Sequence, residues 1–324
     1  MRFGVLSTAD IAREDVIPGI RKSPHEVTAI ASRDADRARQ VANDLGIPRS
    51  YGSYEDLLAD DEIDAVYNPL PNGLHAEWTE RAADHGKHVL CEKPLTADAE
   101  AAADLFDYCA ERDVVLMEAF MYQFHPRTHR LREIVEEELG EIRSVSTAFK
   151  FRLDDEGDIR LDPELAGGSL MDVGCYAVSG ARGILGEPNR VYAHTADTRN
   201  SGVDTDLAGT LEYNDGVVAR VACGFDTPEV QFVRVEAVDG WAEARRAFAP
   251  EATEEVAVTY EVDGRHTTER FDAVDHYQLE VEGFAEAVES GKEPLVDRAE
   301  TVNNMRVIDA LYESAERGES VAVE

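Results

Sequence analysis

The sequence predicts an α/β amino-terminal part, a doubly wound parallel sheet, joined to an α+β carboxyl-terminal part built on an open, largely antiparallel sheet. Three observations carry that prediction. Over the first third, short apolar runs alternate with helix-like stretches. Past about residue 126 the alternation gives way to successive strand-like runs, punctuated by Asn214-Asp215-Gly216 and Asp263-Gly264, both hairpin signals. At 324 residues the chain also exceeds the span of one core, about 100 to 200 residues, so a division into 1–126 and 127–324 is expected. The first part then reads as a Rossmann domain.

The elements follow in order. Residues 3–6 form an apolar strand, and a helical stretch runs to residue 21, interrupted near Pro18. Further strands fall at 27–31, 65–67, 88–91 and 114–117, with helices at 75–85 and 97–111. In such sheets ligands sit outside the carboxyl ends of the strands, so the loops after Leu6, Ala31, Tyr67, Cys91 and Met117 should border a site. A helix over 128–138, a strand over 142–152 and a helix over 167–185 come next. Antiparallel strands fill 190–271, and helices at 277–290 and 298–316 close the chain. The polar, acidic loop 154–162 reads as mobile.

Composition narrows the function classes. A formal charge of −35 repels phosphate backbones and anionic membranes, which excludes nucleic acid and membrane surfaces as partners. The carboxylates are spread along the chain, and their repulsion is tolerable where salt cuts the Debye length to about 3 Å, so a halophilic host is expected. No apolar run approaches the roughly 18 residues of a membrane span, and the first residues enter a strand directly, so a cytoplasmic protein is expected. Cys91, Cys109, Cys175 and Cys223 form no C-x-x-C pair and read as small core residues. No His and carboxylate cluster has metal-ligand spacing, so no metal is expected.

The first strand is followed by Ser7-Thr8-Ala9-Asp10-Ile11-Ala12, in the place of G-x-G-x-x-G. Small side chains there let backbone N–H groups and a helix start approach a pyrophosphate. After the second strand stands Ser32-Arg33-Asp34, where a guanidinium and a hydroxyl suit a 2′-phosphate, with Arg37 one turn further on; Asp34 keeps a free ribose hydroxyl, and so NAD, open. The segments Asn68-Pro69-Leu70-Pro71-Asn72-Gly73-Leu74-His75 and Cys91-Glu92-Lys93-Pro94 stand at later strand ends. Lys93 is one of five lysines, and its cation there would polarise a hydroxyl or lower a neighbouring acid's pKa. In Gly167-Gly168-Ser169-Leu170-Met171-Asp172-Val173-Gly174-Cys175-Tyr176, Asp172 and Tyr176 lie at i and i+4 and share one face of a helix.

With these segments in view, nearly the whole chain resembles the glucose–fructose oxidoreductase, inositol dehydrogenase and rhizopine-catabolism (Gfo/Idh/MocA) family. Glu92-Lys93-Pro94, residues 117–126 (MEAFMYQFHP) and Gly167-Gly168 through Tyr176 carry the likeness. The second is similar to the branch of D-xylose 1-dehydrogenases and dimeric dihydrodiol dehydrogenases, which favours NADP. The resemblance implies that Lys93 is catalytic, that Asp172 helps hold substrate and that position 176, here Tyr176, handles the proton. Tyr122, His125 and His276 are expected to bind the remaining hydroxyls, because a polyol needs many donors and acceptors in a shaped pocket. Cofactor contacts are implied at Ser7, Thr8, Ala9, Ile11, Ala12, Ser32, Arg33, Arg37, Pro69, Leu70, Asn72, His75, Glu92 and Lys93. Three departures stand out: Tyr176 replaces the histidine of many members, Gln123 replaces a common arginine, and Ser7 and Ala9 take glycine places in the fingerprint, as this branch often shows. The expected activity is NADP-dependent oxidation of an aldose, D-xylose or similar, at C1. Sugar-ketone or aldehyde reduction, dihydrodiol oxidation and a silent cofactor-binding sensor are the alternatives. A homodimer or homotetramer paired through the antiparallel sheet is also implied.

Overall fold

A computed structural model describes residues 1–214 and 216–324; Asp215, in one of the two expected hairpin turns, lies outside the described residues. The described residues pack into two units, Met1–Met121 with Asp275–Thr301, and Tyr122–Val274 with Val302–Glu324.

In the first unit, β1 (Arg2–Leu6), β2 (Glu26–Ala31), β3 (Arg49–Tyr51), β4 (Ala65–Asn68), β5 (His88–Glu92) and β6 (Leu116–Ala119) form a parallel sheet in the order β3-β2-β1-β4-β5-β6. That is the doubly wound order, with its switch point between β1 and β4. Phe3, Val5, Ile30, Val66 and Leu90 are fully buried, because helices cover both faces and parallel strands therefore read as continuous apolar runs. Strand β3 has no such run: Arg-Ser-Tyr at the sheet edge is half exposed, and sequence pattern passes over it. Strand β6 begins two residues later than expected. Asp113 adopts φ 57° and the Val114 amide donates back to Cys109 O at 3.0 Å, so residue 114 closes a helix rather than opening a strand.

The helices are α1 (Ile17–Lys22), α2 (Ala35–Leu45), α3 (Tyr54–Leu58), α4 (His75–Asp84) and α5 (Ala99–Ala110). Pro18 does not interrupt its helix. A π-turn over Ala12–Val16 precedes α1 and places Pro18 in the first α-turn, where a missing N–H is tolerated.

The second unit holds β7 (Ile142–Arg152), β8 (Arg190–Ala196), β9 (Asp206–Glu212), β10 (Val218–Gly224), β11 (Asp226–Ala237), β12 (Gly240–Arg245), β13 (Val256–Val262), β14 (Arg265–Phe271) and β15 (Val321–Ala322). They run in the order β14-β13-β12-β11-β7-β10-β9-β8-β15, antiparallel throughout except for β7 beside β10. Alternation is plain: Ala219, Val221 and Cys223 are buried while Arg220 points outward. Helices α6 (Pro126–Glu137) and α7 (Cys175–Leu185) pack on the inner face, α7 over β7 and β10 and α6 over β12 and β13. The Asp263-Gly264 hairpin forms as expected, with φ 51° and 75° at its two central residues.

At the end of the loop 154–162 the amides of Gly167 and Gly168 donate to the carbonyls of Asp162 and Arg160 at 3.0 and 2.9 Å. The chain also does not divide once at residue 126. Helix α8 (His276–Ser290) returns to the parallel-sheet unit and packs on α1 at Gly19, where a Cβ would come within 2.9 Å of the Gln278 amide. Helix α9 (Arg298–Arg317) follows it, and its residues from Val302 onward group with the second unit. An amphipathic helix carries no mark of which sheet it covers, so the return was not legible. All four cysteines are buried thiols outside any disulfide. Among the described residues no helix is long and apolar enough to cross a membrane.

Candidate active site

In the parallel-sheet unit the loops at the carboxyl ends of the strands bear most of the residues expected to meet a cofactor. Ser7 directly follows β1 and takes φ 143°, a conformation that favours glycine, which explains why the related fingerprint puts glycine there. Its Oγ accepts the Ala9 amide at 3.1 Å, a local bond that helps a serine hold this backbone. Thr8 and Ala12 are buried, while Ile11 stays partly open at the start of the helical stretch.

At the end of β2, Ser32 is buried and Arg33 and Arg37 are exposed. Asp34 serves as a helix cap. Its Oδ1 accepts the amides of Asp36 and Arg37 at 2.9 and 3.1 Å, making it the N-cap of α2. Arg33 lies beside Tyr54, where burial raises the phenol's pKa and the guanidinium opposes the shift.

The next two loops are locked together. Asn68, fully buried, donates to His75 O at 3.2 Å and to Thr79 Oγ1 at 3.3 Å. The His75 ring lies between two carbonyls, Leu70 O at 2.6 Å from Nε2 and Pro94 O at 2.8 Å from Nδ1. Each ring nitrogen faces a loop carbonyl; burial presses the ring's pKa down to about 4 against the raising effect of those two carbonyls, and the neutral ring donates to one of them at a time. His75 therefore braces the walls formed by Pro69, Leu70 and Pro94 instead of offering a nitrogen to a cofactor, a correction to its expected role; Asn72 is left partly open beyond the brace. Glu92 accepts Tyr67 Oη at 2.7 Å, and Lys93, partly exposed, precedes a cis peptide to Pro94.

Glu118 on β6 was missed as a site residue. Its Oε1 accepts the Leu95 amide at 2.8 Å, tying down the chain just past Lys93-Pro94, and burial pushes its carboxyl up to about 7. The folded chain thus keeps a proton that the unfolded chain, titrating near 4.5, has released. Stability owed to that proton is whole below the unfolded value, falls as pH rises through the window between the two, and levels off above the folded one. Glu118→Gln, which retains an acceptor for Leu95, should accordingly raise stability by about 2–3 kcal/mol at about pH 8 and hardly at all near pH 4. Chemical denaturation at the two pH values checks this, and equal effects at both would refute it.

In the second unit, Tyr122, His125, Asp172 and Tyr176 come from two segments. Residues 170–174 form a π-turn that runs straight into α7, so Asp172 and Tyr176 stand on one continuous helical stretch, as their spacing predicts. Arg160, from the loop expected to be mobile, donates through Nε to Asp172 Oδ2 at 2.9 Å, and its other contact is Asp158 at 3.3 Å. Asp172 beside it holds that guanidinium charged well past its ordinary range. The side chain of Asp172 remains 13% exposed.

Tyr176 sits among aromatic rings, with centroids 5.5 Å from Phe149, 5.8 Å from Phe248 and 5.9 Å from Tyr122. Phe248 is placed by Arg127, a fully buried guanidinium that donates to the carbonyls of Arg245, Arg246 and Ala247 at 2.9, 3.0 and 2.6 Å. Neither residue carried a sequence signal, since the contact spans about 120 positions. Tyr122 bonds Ser179 Oγ at 2.7 Å, and Gln123 also reaches that hydroxyl, at 3.3 Å, while accepting from Arg132 at 3.2 Å. Gln123 thus ties two helices together.

Two expected substrate ligands, His125 and His276, lie inside the fold. His125 is the N-cap of α6: its Nδ1 accepts the Arg127 amide at 3.0 Å and it is 1% exposed. His276 lies at the start of α8, 0% exposed, its ring edge-on to Tyr277 at 4.7 Å. Both imidazoles are covered in this conformation, and the capping bond takes up His125 Nδ1.

Residues 1–120 match the GFO/IDH/MocA oxidoreductase family, NAD-binding Rossmann fold, and residues 128–243 match the GFO/IDH/MocA C-terminal domain. The chain belongs to this family of oxidoreductases. It is 59% identical over 100% of both chains to the D-xylose 1-dehydrogenase (NADP(+)) 2 of Haloferax volcanii. Among solved structures it is similar to a 3-ketoreductase from Actinomadura kijaniata in complex with NADP and TDP-benzene, at 34% identity and TM-score 0.92 over 97% of each chain. It is also similar to an aldose-aldose oxidoreductase from Caulobacter crescentus complexed with glycerol, at 26% identity and TM-score 0.92 over 99% of each chain.

Proposed function

We propose that this protein oxidises an aldose at C1 to the lactone, with NADP as oxidant and D-xylose or a similar pentose as substrate. The observation that carries the reading is the stretch that delivers Asp172 and Tyr176 together, a carboxylate for sugar hydroxyls and a phenol for the proton, within an oxidoreductase whose 59% identical relative is a D-xylose dehydrogenase. The residues present fit the cofactor. Ser7 holds the glycine-like turn after β1, and Asp34 is spent as a cap, which leaves Ser32, Arg33 and Arg37 to a 2′-phosphate. When bound, NADP supplies the two-electron oxidant that takes the hydrogen of C1. Tyr176, acting as its phenolate, accepts the proton as the hydroxyl becomes the lactone carbonyl, the Lys93 ammonium favours that phenolate and bonds the same oxygen, and Asp172 orients a neighbouring hydroxyl.

The 3-ketoreductase likeness favours a second reading, reduction of a sugar ketone. Steady-state rates with a panel of aldoses and NADP, against sugar ketones and NADPH, test the two. Ketone reduction far faster than any aldose oxidation would replace the first reading with the second.

The outer face of the nine-stranded sheet supports a homodimer. Along β11 and β12 it presents Val230 at 41% exposure together with Phe232, Arg234, Glu243 and Arg245, lining a shallow hollow. Arginines and glutamates interleaved on one patch suit an isologous pairing. Light scattering in concentrated salt should return at least twice the mass of the chain, and a monomer would dismiss the proposal.

A further inference from the structure

The helical stretch that bears Asp172 and Tyr176 begins without a cap of its own. Ser169, at its N-cap position, has helical backbone angles and makes no side-chain capping bond within the helix. The missing acceptor comes from elsewhere in the chain. Asp204, in the turn before β9 and 8% exposed, points its carboxylate at this helix start. Oδ2 accepts Ser169 Oγ at 2.6 Å and the Leu170 amide at 2.8 Å, while its backbone carbonyl accepts the Ser169 amide at 2.8 Å. Oδ1 accepts Tyr312 Oη from α9 at 2.8 Å.

The approach is close enough to dictate a neighbour. Gly168 has φ 123°, and a Cβ there would lie 2.4 Å from Asp204 Oδ1 and 3.0 Å from Tyr312 Oη, so only glycine lets the carboxylate reach in. The turn bearing Asp204 is itself built rigidly. Asp197 accepts the amides of Arg199, Ser201 and Gly202 at 3.1, 3.1 and 2.9 Å, and Thr205 N bonds Ala196 O at 2.8 Å.

We propose that Asp204 is a positioning residue for the reaction: through its bonds to Ser169, Leu170 and Tyr312 it sets where the Asp172–Tyr176 stretch stands on the sheet. Asp172 lies three residues beyond Ser169, and Tyr176 one turn further. A carboxylate at a helix start also complements the positive end of the helix dipole. Because the anchor is charged and triply bonded, a shift in it moves both functional side chains together, and a misplacement of about 1 Å can cost about 10²-fold in rate. The proposal rests on the roles given above to Asp172 and Tyr176.

The test compares Asp204→Ala, Asp204→Asn, Tyr176→Phe and the double variant Asp204→Ala/Tyr176→Phe, all in the full-length protein. Asp204→Ala should lose about 10- to 100-fold in kcat/KM for the best aldose. NADPH affinity, read by fluorescence titration, should stay within about twofold, since the cofactor residues lie on the other unit. Asp204→Asn keeps an oxygen for Ser169 and Leu170 and can donate to Tyr312, so it should recover most of the activity. Adding Asp204→Ala to Tyr176→Phe should lower kcat by less than it does in the wild type, because its effect runs through the phenol. Full additivity, an equal loss of NADPH affinity, or an Asp204→Ala protein within about twofold of wild type would overturn the proposal. Should Tyr176→Phe alone have no effect, the role of Tyr176 fails; a rise in KM on Asp204→Ala that Asp172→Asn abolishes then still supports positioning, and no such rise overturns it. If Asp204→Ala does not fold, Tyr312→Phe removes one of the carboxylate's bonds at a distance. A drop in kcat with NADPH affinity unchanged supports the proposal, and unaltered kcat contradicts it.

Discussion

Tyr176→Phe is expected to lower turnover on the best aldose by about 10²- to 10⁴-fold, and Lys93→Ala by a similar factor. The phenylalanine change is unusually clean here. The ring of Tyr176 is packed against Phe149, Phe248 and Tyr122, and phenylalanine fills the same space, so the fold keeps its packing and only the hydroxyl is lost. Cofactor affinity should barely move, because the residues assigned to NADP lie in the parallel-sheet unit. If Tyr176 accepts the proton while Lys93 bonds the same oxygen, each change removes an interaction made chiefly in the transition state. The double variant should then lose little more than the worse single one. Independent losses would mean separate roles. Near-normal turnover in Tyr176→Phe would make the tyrosine a packing residue and leave proton transfer to Lys93.

The second large effect concerns cofactor choice. Arg33→Asp should erase the preference for NADP over NAD, a change of about 10²-fold or more in the ratio of dissociation constants, since it removes charge-assisted bonds worth about 1.5–3 kcal/mol and adds a repulsion. Asp34 is the informative control. It caps α2 through two backbone amides, so Asp34→Asn, also a good cap, should leave both stability and cofactor choice nearly unchanged. Direct titration with the two cofactors decides the matter. A wild-type protein that binds NAD more tightly would show that Arg33 is a solvated surface residue.

The site was legible where its chemistry lies in short segments and obscure where it depends on distant partners. Ser7 could be matched to a glycine position because a turn between a strand and a helix start has few solutions, and the structure puts φ 143° there. Asp172 and Tyr176 were linked by helical spacing alone, and the structure puts them on one continuous helical stretch, a π-turn leading into a helix. The histidines were not legible. An imidazole's role is set by what faces each nitrogen, and those partners, Leu70 O and Pro94 O for His75 and the Arg127 amide for His125, are backbone atoms with no signature in the side-chain sequence.

What the sequence by itself determined was the parallel sheet, the largely antiparallel sheet after it, and the loops that end on Ser7, Arg33 and Lys93. Each follows from a period of two or of 3.6 residues and from the punctuation between runs, which are properties of neighbours along the chain. Only the tertiary structure decided that α8 returns to the first unit, that Glu118 holds the chain behind Lys93, and that Arg160 and Asp204 grip the Asp172–Tyr176 stretch. These are contacts between charged groups and backbone atoms far apart in the chain or on loops without periodicity. Charge and hydrogen bonding act over a few ångströms of space, and nothing in the local pattern of residues records which of 67 carboxylates will be folded against which amide.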